Sequence, residues 1–367
     1  MDVKPLPLPN DIKSRYVSTE SGLTQHILET GDPSSPLIML MHGFPEIAFS
    51  WRYLMPALAD AGFWVVAPDH RGFGRTSGWE DGYDCDLNSF SMINLVRDNL
   101  ALIRALDREY AHAIIGHDFG SSLTAWTALM RPDIVKRIVL MSAPFSGPPQ
   151  IVQHRDSIYA DLLALDRPRK HYKEYYSERF ANEQLIGAPQ GLHDFLRAYF
   201  HMKSADWAPN APQLLKSWTA KELAKMPTYY VMNASETMAE TVAHAMPQKV
   251  EIEKCKWMPN SDLTVYAAEF SRTGMQGGLN WYRCSISSIF QRELSVFHDF
   301  SIKKPAMFIA GNKDWGWAQA PGALDTMEKK VCSNYYGTFL IEGAGHWVQQ
   351  EKPVEVIRLL LKFLEST

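Results

Sequence analysis

Gly116-His117-Asp118-Phe119-Gly120 constrains this chain more than any other stretch. It follows a short apolar run, Ala113-Ile114-Ile115, and precedes a segment with helical character, Ser121 to Met130. A strand, a sharp turn flanked by glycines and then a helix expose one side chain at the top of a sheet. The central residue of such a turn is held in a strained backbone conformation, and its neighbours cannot carry bulk. Here the central residue is Asp118, where a serine esterase would carry its serine. Taken alone, an aspartate before a helix also suits a helix cap. A carboxylate in the turn, however, is ionised at neutral pH and needs no base to become a nucleophile. It attacks a carbon bearing a leaving group or a strained ring and leaves an alkyl ester on the enzyme. The motif therefore predicts an enzyme that opens C–O or C–halogen bonds through an aspartyl ester.

The surrounding pattern is that of a parallel α/β sheet. Candidate strands are 37–41, 63–67, 113–115 and 137–141, resuming at 306–310 and 338–341, all short apolar runs suited to a sheet covered on both faces. An amphipathic stretch from Leu87 to Leu106 predicts a helix, and Pro353 is suited to start a last one running to Leu364. The segment from 147 to 300 lacks buried-strand runs and is rich in aromatics and methionines. It is read as a mostly helical cap, with 1–146 and 301–367 forming the core domain. At 46% hydrophobic and 12% aromatic, the 367 residues can bury a sizeable core.

Composition narrows the function classes. A net charge of −4 with no basic stripe argues against nucleic acid. Cys85, Cys255, Cys284 and Cys332 are scattered without metal-ligand spacing, which suggests free thiols in a reduced, cytoplasmic protein. The start, Met1-Asp2-Val3-Lys4-Pro5, has no apolar signal core, and no apolar run approaches a membrane span. The ending Leu364-Glu365-Ser366-Thr367 is not a peroxisomal signal. The oligomeric state is left open, a homodimer included.

Further motifs fall in a telling order. His42-Gly43-Phe44-Pro45 follows the strand ending at Met41, so the Phe44 amide is a candidate oxyanion donor, with that of Phe119 as the second. Asp314 follows the strand at 306–310 and is the candidate acid; His346, after the strand at 338–341, is the candidate base. Nucleophile, acid and histidine then occur in the order of an α/β-hydrolase. His42 and His117 flank this site and are read as structural. Asp69-His70-Arg71 reads as a turn, with Gly72 and Gly74 supplying tight backbone.

With these motifs, nearly the whole chain resembles the epoxide hydrolase branch of the α/β-hydrolase superfamily. The resemblance rests on His42-Gly43-Phe44-Pro45-Glu46, Asp69 to Gly74, Gly116 to Gly120, Gly345-His346-Trp347 and, in the cap, Gly278-Leu279-Asn280-Trp281-Tyr282-Arg283. It implies that Tyr282 hydrogen-bonds the epoxide oxygen together with a second cap tyrosine. Tyr172 fits that place best, with Tyr175 and Tyr176 close by. It also implies that Pro45, Trp281 and Trp347 line the substrate site, and that epoxide and water react without metal or organic cofactor. Where the family usually has tryptophan after the nucleophile, this chain has Phe119. Two enzyme readings remain beside this one: a haloalkane or haloacetate dehalogenase, and a biosynthetic hydrolase acting on a bulky intermediate. A non-catalytic binding protein fits poorly with an intact triad.

Overall fold

Short apolar runs place the centre of the sheet. The strands in chain order are β1 (Lys13–Ser18), β2 (Thr24–Thr30), β3 (Leu37–Met41), β4 (Trp64–Pro68), β5 (Ala113–His117) and β6 (Ile138–Met141). Two short strands follow, β7 (Arg169–His171) and β8 (Val231–Asn233), and then β9 (Ala306–Gly311) and β10 (Tyr335–Ile341). The computed structural model describes residues 3–150 and 158–366. Met1 and Asp2 of the N-terminal segment, 151–157 of the expected cap and Thr367 of the C-terminal tetrapeptide lie outside the described residues.

Eight of these strands form one sheet in the order β1-β2-β4-β3-β5-β6-β9-β10. From β4 to β10 neighbouring strands are parallel, whereas β2 pairs antiparallel with both β1 and β4. Every residue of β3, β4, β5, β6 and β9 is buried, as strands covered on both faces require. One face packs Ile38, Leu40, Val65 and Ile115 against Val356, Leu360 and Phe363 of the last helix, Pro353–Ser366. The other packs Met39, Val66, Ile114 and Leu140 against Leu102 and Ile103 of the helix Met92–Ala105 and Leu123 of the helix Phe119–Met130. The chain is thus an α/β-hydrolase fold with a mostly parallel sheet.

Two details differ from expectation. The stretch from Leu87 to Leu106 is not one helix: a 3₁₀ turn, Leu87–Phe90, is followed by Ser91 in extended conformation, whose side chain caps the helix Met92–Ala105. The sheet also gains β1 and β2, which the search for buried apolar runs passed over. Only Val17 is buried in β1, so this edge strand carries no continuous apolar signal.

Between β6 and β9 the described residues form helices and one small antiparallel pair, β7 with β8. These helices are fastened to the sheet domain by buried polar contacts. Arg52 pairs with Asp262 at 2.7 Å and Arg75 with Glu269 at 2.7 Å. Tyr266 Oη lies 2.8 Å from Ser50 Oγ, and Trp281 Nε1 donates to the Arg71 carbonyl at 3.0 Å. Gly72, at φ +89°, lies so close to Gly277 that a Cβ on either would strike the other's backbone. Arg71 itself is fixed by a buried pair with Asp98, and Asp69 by one with His26, so this turn has a structural task.

Candidate active site

The β5-to-helix turn holds Asp118 at φ 54° and ψ −117°, a region where non-glycine residues are strained, at a cost of order 1–3 kcal/mol. The neighbouring glycines permit it. A Cβ on Gly116 would collide with the Gly120 carbonyl, and one on Gly120 with the carbonyls of Met41 and His42. Asp118 stands immediately before the helix, yet its side chain makes no capping bond. Instead Oδ1 accepts the Phe44 N–H at 3.1 Å. Phe119 opens the helix, so its own amide has no partner within it. Pro45 is buried in the turn that follows Phe44.

Asp314 follows β9 and His346 follows β10, and the two meet with Nδ1 3.0 Å from Oδ1. The Gly316 N–H donates to the same oxygen at 2.6 Å. His346 Nε2 makes no hydrogen bond and lies 3.4 Å from Asp118 Oδ2. Asp314 and His346 are buried, whereas the Asp118 side chain is 15% exposed. Burial alone would raise the Asp118 carboxyl, but His346, Lys203 and His117 outweigh it and hold it well below the usual carboxylate range. Burial also opposes ionisation of Asp314, and His346 and the Gly316 amide overcome it.

A second buried pair supports this arrangement: His117, read as structural from the sequence, and Glu46, which the sequence did not single out. Glu46 Oε2 lies 2.6 Å from His117 Nδ1 and accepts the Gly43 N–H at 3.1 Å. Gln349 Nε2 donates to Glu46 Oε1 at 2.9 Å. His117 Nε2 is 2.7 Å from the His346 carbonyl, so the residue before Asp118 braces the loop carrying His346. Glu351 completes the bracing by accepting the N–H groups on either side of His346, those of Gly345 and Trp347. The only clue to Glu46 was its place at the end of the His42–Glu46 motif; nothing in the local pattern marked Glu351.

The inserted helices bring tyrosines over this centre. The Tyr282 ring packs 4.7 Å from Phe119, 5.4 Å from Phe44, 5.7 Å from Tyr172 and 4.9 Å from Tyr176. Burial, then the Asp118 charge, pushes the hydroxyls of Tyr172 and Tyr282 well above the ordinary tyrosine value, which keeps both as proton donors. The Tyr172 hydroxyl reaches Gln319 Oε1 at a long 3.4 Å, and that of Tyr176 is directed to Tyr199 Oη at 3.3 Å. Tyr175 packs against Tyr176 and under Lys170 and makes no ring contact with Tyr282. Trp281 and Trp347 are buried with their N–H groups committed, to the carbonyls of Arg71 and Phe200. They present ring surface to the site, Trp281 against Phe119 and Trp347 against His346.

Residues 36–353 match the model of the α/β-hydrolase fold family. Epoxide hydrolase A of Mycobacterium tuberculosis is 32% identical over 95% of this chain and 96% of its own length. The chain belongs to the epoxide hydrolases of the α/β-hydrolase superfamily. Solved structures agree with that placement. An epoxide hydrolase from an endophytic Streptomyces superposes with a TM-score of 0.78 at 30% identity, covering 98% of this chain and 96% of that one. Epoxide hydrolase I of potato gives a TM-score of 0.74 at 27% identity, covering 97% and 100%. Among the described residues no helix is long and apolar enough to cross a membrane, and no cluster of His, Cys, Asp and Glu could hold a metal ion.

Proposed function

We propose that this chain hydrolyses an organic epoxide to a vicinal diol through an ester on Asp118. The observation that carries the reading is the pair of buried phenols, Tyr172 and Tyr282, both feeling the Asp118 charge and packed 5.7 Å apart. An alkoxide leaving group is far too basic to depart unaided at neutral pH, and two hydroxyl donors meet that need. The segment 147–300 serves as the cap that supplies them.

Asp118 Oδ1 rests on the Phe44 amide, so Oδ2 is the freer oxygen to attack an epoxide carbon in line with the breaking bond. Tyr172 and Tyr282 hold the departing oxygen, and one of them delivers its proton. In the ester, Oδ1 is the carbonyl oxygen and is already seated on its donor. His346 Nε2, with Nδ1 fixed by Asp314, takes a proton from water, which adds to the Asp118 carboxyl carbon. The Phe44 and Phe119 amides stabilise the resulting oxyanion, an effect worth about 3–4 kcal/mol for one good donor. Collapse expels the diol oxygen, which takes the proton from the His346 imidazolium, and the proton of the new Asp118 carboxyl restores the tyrosine. The steps draw only on side chains, substrate and water. The four cysteines are unpaired, which supports a reducing, cytoplasmic setting.

A dehalogenase needs N–H donors for the halide beside the nucleophile. Phe119 offers no side-chain donor, and the Trp281 N–H is spent on Arg71. Incubation with styrene oxide and with a haloalkane, following diol and halide, separates the two reactions. Diol release from styrene oxide, slowed about 10²-fold at ring opening by Tyr282→Phe, is the expected result. Halide release, or normal ring opening in Tyr282→Phe, contradicts the reading.

A further inference from the structure

Lys203 is the last residue of the helix Leu192–Lys203 and is only 3% exposed. Its Nζ sits among three aromatic rings, 5.3 Å from the centroid of Tyr199, 5.2 Å from Tyr230 and 5.3 Å from Trp347. Trp347 follows the base, and the Tyr230 ring lies 5.1 Å from that of Tyr172. The Lys203 carbonyl accepts the His346 N–H at 2.9 Å, which fixes this helix end to the base loop. The caged amine therefore packs on two rings, Trp347 and Tyr230, that themselves touch His346 and Tyr172.

Among the described residues no carboxylate or other acceptor pairs with Nζ of Lys203. Ring faces attract an ammonium but leave its three N–H donors without acceptors. A buried charge without a partner is costly, and such groups ordinarily find one. The neighbouring charges do not supply it, because Glu46 is taken by His117 and Asp314 by His346. Glu351 accepts the backbone N–H groups of Ala205, Gly345 and Trp347. Asp118 is the carboxylate that Lys203 acts on, and it is shared with Lys173, a half-buried amine likewise lacking an acid partner. Two amines thus face one carboxylate, and that carboxylate loses its charge when it becomes an ester.

We propose that Lys203 is an anion subsite and that the preferred substrates are epoxides carrying a carboxylate. The inference rests on the epoxide reading above and deepens it. A carboxylate on the substrate gives Nζ its missing acceptor and restores the charge balance that ester formation removes. Lys203 acts in recognition, so its loss weakens binding of the acid more than that of the matching neutral epoxide.

The test compares two acids with their primary amides, trans-3-phenylglycidate against its amide and 4-carboxystyrene oxide against its amide. The wild-type protein is expected to prefer at least one acid by about tenfold or more in kcat/KM. Lys203→Met should bring the acid-to-amide ratio of kcat/KM to about one through a raised KM for the acid, each amide serving as the reference for its own acid in the same variant, with Lys203→Arg retaining the preference. Inhibition of the wild type by phenylacetate, about tenfold stronger than by phenylacetamide, supports the subsite without any variant. Equal inhibition by the two, equal use of acids and amides, or a parallel loss on both in Lys203→Met overturns the subsite. If styrene oxide itself is not hydrolysed, the epoxide reading fails and the subsite with it.

Discussion

Glu46 and His117 show how a single buried pair can set both geometry and pH response. Burial would keep Glu46 protonated, and His117 overcomes this; burial would strip His117 of its proton, and Glu46 holds it. The folded carboxyl is lowered, so its contribution to stability is present above its ordinary value of 4.5 and is lost as pH falls. The folded imidazole is raised, so its contribution is present below 6.5 and is lost as pH rises through the folded value. The pair contributes most between those two pH values. Glu46→Gln should destabilise the protein by about 2–3 kcal/mol, somewhat less than a broken buried pair usually costs, because His117 can shed its proton. Thermal melts across pH should show the widest gap from wild type inside that window. A gap that does not vary with pH contradicts the assignment of charges.

Elements explain why the turn at Asp118 was readable and much of its surroundings was not. Glycines on both sides are needed because backbone carbonyls occupy the space where their Cβ atoms would go, and such a need is written in two letters. Gly120→Ala should cost about 3 kcal/mol or more, since the carbonyls of Met41 and His42 cannot yield. Gly62→Ala, with open space around it but φ +89°, should cost about 1–2 kcal/mol. Chemical denaturation of both variants checks this, and equal costs would show that collision is not the reason for Gly120. The doubly buried strands were equally legible, because β3 to β6 and β9 contain no exposed position to break the apolar run. β1 was not, as it exposes all but Val17, nor were β7 and β8, three residues each. Lys203 and Glu351 escaped notice for another reason. The rings of Tyr230 and Trp347 around Lys203 are remote from it in sequence, Glu351 binds backbone N–H groups that no residue type marks, and on their own helices both look like ordinary surface charges.

At the scale of the whole molecule, the proposed reaction depends on a sheet domain and a helical insertion meeting in one register. The sheet domain carries Asp118, Asp314, His346 and the Phe44 amide, and the insertion carries Tyr172 and Tyr282. Arg52–Asp262 and Arg75–Glu269 are among the contacts holding that register. Arg75→Met should raise hydrogen exchange in the helix Asn260–Thr273 and leave β3 and β5 protected, with ring opening slowed more than ester hydrolysis. Uniform loosening of sheet and insertion would contradict this division of labour. The covalent ester is the claim on which the rest depends, and its direct test is a single turnover in heavy-oxygen water with protein in excess over styrene oxide. Water adds to the carboxyl carbon of Asp118 in this account, so mass spectrometry of the peptide containing Asp118 should find the label in that side chain and unlabelled oxygen in the first diol released. Label in the diol with none in Asp118 would mean that water attacks the epoxide directly, and the account would be wrong.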